Sequence, residues 1–338
     1  MDNDFEKIEP STIMNYTFTI YSSFAMLAGI ELDIFTHLSQ RACTLYELGE
    51  KLSVKADKLR ILLFTLVGSK LLNYSNGYFS NTLETDKFLV KGKPDYEGGG
   101  AYFYRAFWSA CLQTAQSIKT GVPQAEIDYS KLSEKELFNK LGSIYECTLS
   151  AGIHLASRFE FSKYNNLLDI GGGNGGIAIG ACKVNCHMRA TIVELDEVVS
   201  IPGFYVDREN LSDRILIKGI NIVEKKPEGI YDVAVARSFF QVLSPEEAIN
   251  AIKNIGSVMS QGSYLYILGR ILDNNFIFPE KTVLFNLVFA NIYDFGQAYT
   301  ENEYACWLNE GGFRIIEVLH DFFSDGQSVI VARKCTEL

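Results

Sequence analysis

One ten-residue stretch, Leu167-Leu-Asp-Ile-Gly-Gly-Gly-Asn-Gly-Gly, constrains this 338-residue chain more than any other. An apolar run leads straight into glycines, and a helical pattern begins near Ile177. Glycine lets a ligand approach the main chain closely, and the first turn of the following helix offers unpaired amide donors. The spacing of Gly171, Gly173 and Gly176 also satisfies the dinucleotide pattern G-x-G-x-x-G, which is weak evidence alone. Two carboxylates refine the reading. Asp169 lies inside the end of the strand, where a dinucleotide fold has an apolar residue, and can anchor the loop amides and face the amino-acid end of a ligand. Glu194 closes the next strand, 23 residues after Gly171, where a carboxylate can accept both hydroxyls of a ribose.

From Asn165 onward, strands and helices alternate. Leu167–Ile170, Ala190–Glu194, Ile215–Lys218, Asp232–Ala236 and Ser263–Leu268 read as strands, with helical patterns between them. That order predicts an α/β fold with a mostly parallel, doubly wound, Rossmann-like sheet. The end differs: Phe313–Leu319, a turn at Ser324-Asp-Gly and Ser328–Arg333 predict a closing antiparallel hairpin.

The first hundred residues follow another plan. Residues 12 to 40 read as helix, Thr44-Leu-Tyr-Glu has the outline of a capping box, and Leu59, Leu62, Leu63 and Leu66 repeat at helical spacing. Asn76-Gly77 then signals a hairpin. Helices followed by a hairpin make a winged-helix order. Its DNA-binding reading is disfavoured, because residues 1 to 100 hold 10 Lys/Arg against 13 Asp/Glu; a scaffold or dimerisation module fits better. A linker at 91 to 100 leads to an aromatic helix over 102 to 120, carrying Phe107 and Trp108, and another helix is expected over 134 to 159. The expected domains are therefore 1–100, linking helices 101–160 and a catalytic domain 161–338.

The formal charge of -10 argues against nucleic acid as main partner. The longest apolar stretches fall short of the roughly 18 to 20 residues that span a bilayer, and Met1-Asp-Asn-Asp-Phe-Glu is acidic where a secretory leader is basic. The expectation is a cytoplasmic protein. Cys182, Cys186 and His187 do not complete a zinc set, so no metal is expected.

Asp169-Ile-Gly-Gly-Gly-Asn-Gly resembles the first motif of the S-adenosylmethionine-dependent methyltransferases, in the three-glycine form typical of plant and bacterial small-molecule O-methyltransferases. The resemblance covers nearly the whole chain. It implies S-adenosyl-L-methionine as cofactor, a small-molecule substrate and a homodimer formed through the winged-helix region. Carried over residue by residue, Gly171 and Gly173 match the loop beside the methionine part of the cofactor, Glu194 the ribose ligand and Leu195 the residue beside the adenine. Asn221 is expected at the adenine amino group if the local alignment slips by one, and Arg237 matches a basic residue of the cofactor site.

The same comparison shows where the pattern breaks. The family signature is a basic residue, three intervening residues, then His-Asp-Trp, with the His as general base. This chain reads Arg237-Ser-Phe-Phe-Gln-Val-Leu, placing Gln241 at the His. Gly269 and Ala298 stand where the resemblance calls for supporting glutamates. A glutamine amide takes no proton at useful pH. Methylation of nitrogen, carbon or an already acidic hydroxyl is therefore favoured over a neutral phenol. As replacement bases, Glu146 is the first carboxylate to consider, and His154 the one histidine of four expected near the pocket. Phe107, Trp108, Tyr145, Phe285, Asn286, Phe289 and Tyr293 are expected to line a flat, apolar substrate pocket, with core packing as the competing role for about half of them. The runner-up function is a pericyclase-like enzyme that binds the cofactor without transferring methyl. A winged-helix regulator is a third.

Overall fold

A computed structural model describes residues 8–335, except for the side chains of Tyr102 and Phe103; the acidic Met1-Asp-Asn-Asp-Phe-Glu run lies outside the described residues. The chain forms two compact units that divide between Ala101 and Tyr102.

In the first unit, the helix expected over 12 to 40 is two helices, α1 (Ser11–Glu31) and α2 (Ile34–Gln40). Asp33 breaks them with a left-handed backbone (φ 59°), which Asp tolerates better than most residues. The turn sends Ile34, Phe35 and Leu38 into the core. Then come β1 (Cys43–Thr44), α3 (Leu45–Leu52), α4 (Ala56–Gly68), β2 (Leu72–Ser75), β3 (Tyr78–Asn81) and α5 (Leu83–Phe88). Thr44 and Glu47 close the capping box of α3, the Thr44 amide donating to Oε2 at 2.7 Å and the Glu47 amide to Oγ1 at 3.3 Å. Asn76 and Gly77 both take positive φ, as a two-residue hairpin turn of the observed strands requires. The sheet order is β1-β3-β2, the wing of a winged-helix arrangement. On α1, Ile13, Met14, Phe18, Tyr21 and Phe24 stay exposed.

The division falls in the first turn of α6 (Gly100–Cys111), and the second unit continues with α7 (Thr114–Thr120), α8 (Glu134–Gly142) and α9 (Tyr145–Arg158). Both long helices expected here are thus broken, near Gln113 and Ile144. The sheet and its connections follow: β4 (Asn166–Ile170), α10 (Gly176–Val184), β5 (Arg189–Glu194), α11 (Ser200–Arg208), β6 (Ile215–Gly219), β7 (Tyr231–Arg237), α12 (Pro245–Val258) and β8 (Met259–Gly269). The chain ends with β9 (Ile271–Leu272), α13 (Glu280–Ile292), β10 (Tyr299–Thr300), α14 (Glu301–Glu310), β11 (Phe313–Leu319) and β12 (Ser328–Lys334).

Seven strands pair in the order β11-β12-β8-β7-β4-β5-β6. β8 through β6 are parallel, and β12 and β11 join as the expected antiparallel hairpin. Apolar side chains cover both faces of the parallel strands, as α/β sheets require. From β4 the chain first builds outward through β5 and β6, then returns to pair β7 on the other side of β4. The reversal opens a crevice at the carboxyl ends of β4 and β7, where such sheets bind ligands. Among the described residues, no single helix is long and apolar enough to cross a membrane.

Candidate active site

The glycine loop leaves β4 at that crevice. Gly171 and Gly173 have φ of 59° and 57°, a region other residues rarely adopt. A Cβ on Gly171 would stand 2.6 Å from the Phe239 ring, whereas one on Gly173 would meet only Leu141, at 4.0 Å, so the loop is open to a ligand at Gly173. Asn174, which the sequence reading passed over, braces the loop. Its Oδ1 accepts the Gly176 amide (3.0 Å) and the Thr148 hydroxyl (2.7 Å), and its Nδ2 donates to the Leu141 carbonyl.

Asp169 is buried at the end of β4 and receives the Ala178 amide on Oδ2 at 3.1 Å. It thereby caps α10, whose own N-cap, Gly175, has no side chain. The other oxygen, Oδ1, is buried without a partner, and so is Nε of Arg237 at the end of β7. Burial pushes the Asp169 carboxyl up to about 7; the charge of Glu194 adds to the rise, while the Ala178 amide and Arg237 oppose it. Glu194 ends β5 and grips backbone on both sides, Oε2 accepting the Gly173 amide and Oε1 the Leu195 amide, each at 2.8 Å. Burial raises its pKa and those two amides pull it back. Each oxygen keeps a lone pair for another donor. Leu195 is half-buried beside it against the apolar core.

Asn221 is placed differently from the expectation. Its Oδ1 accepts the Val223 amide (3.1 Å) and its Nδ2 donates to Glu224 (3.0 Å), so the side chain closes the turn after β6.

Gln241, expected from the resemblance at the position of the family's base, is buried on a short 3-10 turn, and its Oε1 accepts the Arg270 amide at 3.2 Å. Arg270, also missed in the sequence, is a buried cation just past β8. Its Nη1 donates to the Asp325 carbonyl, and its guanidinium lies 4.3 Å from the Phe285 ring centroid.

The proposed replacement bases are elsewhere. Glu146 is an exposed residue 3.7 Å from Arg208, because its position on α9 points outward. His154 is exposed on the same helix, its ring 5.1 Å from Phe322 and 5.9 Å from Phe323. His320 pairs with Glu301 at 2.7 Å and with Ser328 at 3.3 Å.

Of the expected pocket residues, Phe107, Phe285 and Phe289 form one aromatic cluster, with centroids 5.7 and 5.4 Å apart along the series, and Tyr293 packs against its edge. Trp108 is half-buried on α6. Asn286 turns its Oδ1 to the Ala298 amide at 2.7 Å, fixing the segment after α13. Tyr145 is a correction: its ring stacks on Tyr205 at 3.9 Å, its hydroxyl meets Glu209 at 3.2 Å, and Arg208 covers both rings. It joins α9 to α11 as core.

Comparison with known proteins follows the same outline. Residues 14–91 match the family model of the O-methyltransferase dimerisation domain, and residues 114–314 that of the O-methyltransferase domain. The tetracenomycin polyketide synthesis 8-O-methyl transferase TcmO of Streptomyces glaucescens is 24% identical, across 90% of this chain and 91% of its own length. The L-tyrosine C(3)-methyltransferase of Streptomyces lavendulae is 26% identical, across 86% of this chain and 84% of its own. The human N-acetylserotonin methyltransferase, solved in complex with S-adenosylmethionine, superposes with a TM-score of 0.78 at 19% identity, covering 99% of this chain and all of that one.

Proposed function

This chain belongs to the O-methyltransferase family, and on that premise we propose that it methylates a small, largely aromatic or apolar biosynthetic metabolite without a histidine base. The observation that carries the reading is the Gln241–Arg270 contact, which makes the base position part of the protein's internal hydrogen bonding.

The cleft fits S-adenosylmethionine. Its two orphaned buried atoms, Oδ1 of Asp169 and Nε of Arg237, complement the ammonium and carboxylate of an amino-acid tail. Glu194 has lone pairs for ribose hydroxyls, and Gly173 leaves room for close approach. When bound, the cofactor supplies an activated methyl group on a sulfonium. The protein's share is to hold the acceptor in line and to exclude water. Neutral phenols, with pKa near 10, ionise too little at pH 7 to react well without a base. A nitrogen, a carbon or an acidic hydroxyl escapes that limit, and the relatives span O- and C-methylation.

The dimerisation domain and the exposed apolar face of α1 support a homodimer. The test is calorimetry and mass spectrometry on the full chain. S-adenosylhomocysteine should bind, NAD should not, and a metabolite panel graded by acceptor acidity should gain methyl groups in that order. Binding of S-adenosylhomocysteine with no transfer to any acceptor class would favour the non-methylating reading.

A further inference from the structure

Just past the carboxyl end of β8, Arg270 is a cation that the protein buries without giving it a matching anion. The residue is 5% exposed. One face of its guanidinium lies on the Phe285 ring, 4.3 Å from the centroid. Nη1 donates to the Asp325 carbonyl at 2.5 Å, and the turn closes over that atom so tightly that a Cβ on Gly326 would stand 2.9 Å from it. The Asp325 carboxylate stays 3.8 Å from Nη2, beyond hydrogen-bonding distance. Both of its oxygens are already taken, Oδ1 by the Gln327 backbone amide at 3.0 Å and Oδ2 by the Gln327 side-chain amide at 2.8 Å. Among the described residues, Nε and Nη2 of Arg270 have no hydrogen-bond acceptor, yet neither is sealed off from solvent as Nε of Arg237 is. The turn closes the Nη1 side and Phe285 covers a face, so the Nε–Nη2 edge is the part of this buried group that a small molecule can still reach.

A cation taken out of water is costly unless an anion pairs with it. Burial pulls the Arg270 pKa down, which Asp325, Tyr104 and Asp321 offset in part and Arg237 reinforces, but a guanidinium stays charged near neutrality. Three placements indicate which anion it takes. The carboxyl ends of the parallel strands are the ligand edge of such a sheet, and Arg270 follows β8 there. In the order β8-β7-β4-β5, it stands one strand farther from the glycine loop than Arg237, which already serves the cofactor's own carboxylate on the reading above. Its neighbours on the other side are aromatic: the Phe285 ring meets those of Phe107 and Phe289 at 5.7 and 5.4 Å.

Resting on the methyltransferase reading, we propose that Arg270 binds a carboxylate carried by the methyl acceptor, so that the substrate is an aromatic acid. The Nε–Nη2 edge presents two parallel N–H donors, which match the two oxygens of a carboxylate. A fork of this kind fixes the direction of the acid as well as its position, and the ring it belongs to is then laid beside Phe285. Because the Arg270 backbone amide is bonded to Gln241, the same residue links the anchoring point to the position expected for the family's base.

Binding to the S-adenosylhomocysteine complex tests this without turnover, read by the fluorescence of three probes that share one ring system: a hydroxynaphthoate, its methyl ester and the parent naphthol. Wild type should bind the acid at least about tenfold tighter than the ester, the scale of charge-assisted hydrogen bonds. Arg270→Gln should weaken the acid by about ten- to a hundredfold and the ester by less than about twofold, with Arg270→Lys between them because a point charge lacks the fork. The acid-to-ester ratio is the decisive quantity, since a loosened Asp325 turn or a displaced Phe285 weakens both probes alike. Retained S-adenosylhomocysteine affinity shows that the variants are folded. A wild type that binds the acid no better than the ester or the naphthol would overturn the proposal whatever the variants do. Equal weakening of acid and ester in Arg270→Gln would overturn it too, leaving Arg270 as a brace of the turn. Both outcomes leave the methyltransferase reading intact, whereas failure of the wild type to bind S-adenosylhomocysteine would overturn the two together.

Discussion

The Gln241 side-chain oxygen and the Arg270 amide, 3.2 Å apart, are joined past a residue that has no side chain. A Cβ on Gly269 would stand 3.0 Å from that oxygen, closer than nearly all real contacts. Gln241 and Gly269, which the resemblance sets at the positions of a histidine and a glutamate, therefore fit each other. Two positions that look independent in the sequence share one packing arrangement. Ala298 belongs to the same region, buried, with its amide held by Asn286. On the proposed reading, changing a single position does not supply a working base. Gln241→His should leave transfer to simple phenols undetectable in a mass-spectrometric assay, since no carboxylate stands at Gly269 or Ala298 to orient an imidazole; robust phenol methylation by that variant would contradict this.

Glu194→Ala should weaken S-adenosylhomocysteine binding by about 1.5 to 3 kcal/mol, the scale of charge-assisted hydrogen bonds. The carboxylate also holds the Gly173 and Leu195 amides, so the loss includes a loosened loop as well as missing ribose contacts. Calorimetry checks it, and unchanged affinity would remove Glu194 from the site.

Asp169 gives the ligand-free protein a pH dependence of definite sign. Its carboxyl is raised from 3.8 to about 7 in the folded state, so folding favours the protonated form. The stability that this group provides is complete below about pH 4, falls as pH rises toward 7, and is flat above. Asp169→Asn should remove that slope. Urea midpoints measured from pH 4 to 8 should converge between wild type and variant at the acid end and separate toward pH 8, with the variant higher. Parallel curves would mean that Asp169 is ionised throughout.

Light scattering at micromolar concentration should give about twice 37.9 kDa. The double substitution Phe18→Glu and Tyr21→Glu on the exposed face of α1 should halve that mass while leaving the helical circular-dichroism signal in place. A wild-type monomer with full cofactor affinity would contradict the dimer.

The sequence was most legible where one local rule had no competitor. The Leu167–Gly176 turn, the Thr44–Glu47 capping box and the Asn76-Gly77 hairpin each depend on neighbouring residues, and each is found in the fold. Helix continuity was read less well. A left-handed Asp33 costs little, and periodicity does not reveal it, so residues 12 to 40 looked unbroken. Side-chain partners across long separations were hidden altogether. Tyr145 looked like a pocket residue because nothing in the sequence places Tyr205, 60 positions later, against its ring. The local turn in which Asn221 bonds Val223 and Glu224 was likewise not read.

The central claim is that Gln241 is a brace and not a worn-down base. The most direct test is the pH–rate profile of Gln241→Ala beside wild type, with an acceptor hydroxyl acidic enough to stay ionised across the whole pH range measured. The account predicts a loss in kcat/KM within about tenfold, the value of an orienting hydrogen bond, and no inflection near pH 6.5 in either protein. It also predicts a stability loss of about 1 to 3 kcal/mol, because the buried Arg270 amide loses its acceptor. A fall of about 10² to 10⁴ in rate, with a histidine-like inflection in the wild type, would contradict it and mean that a general base acts at this site.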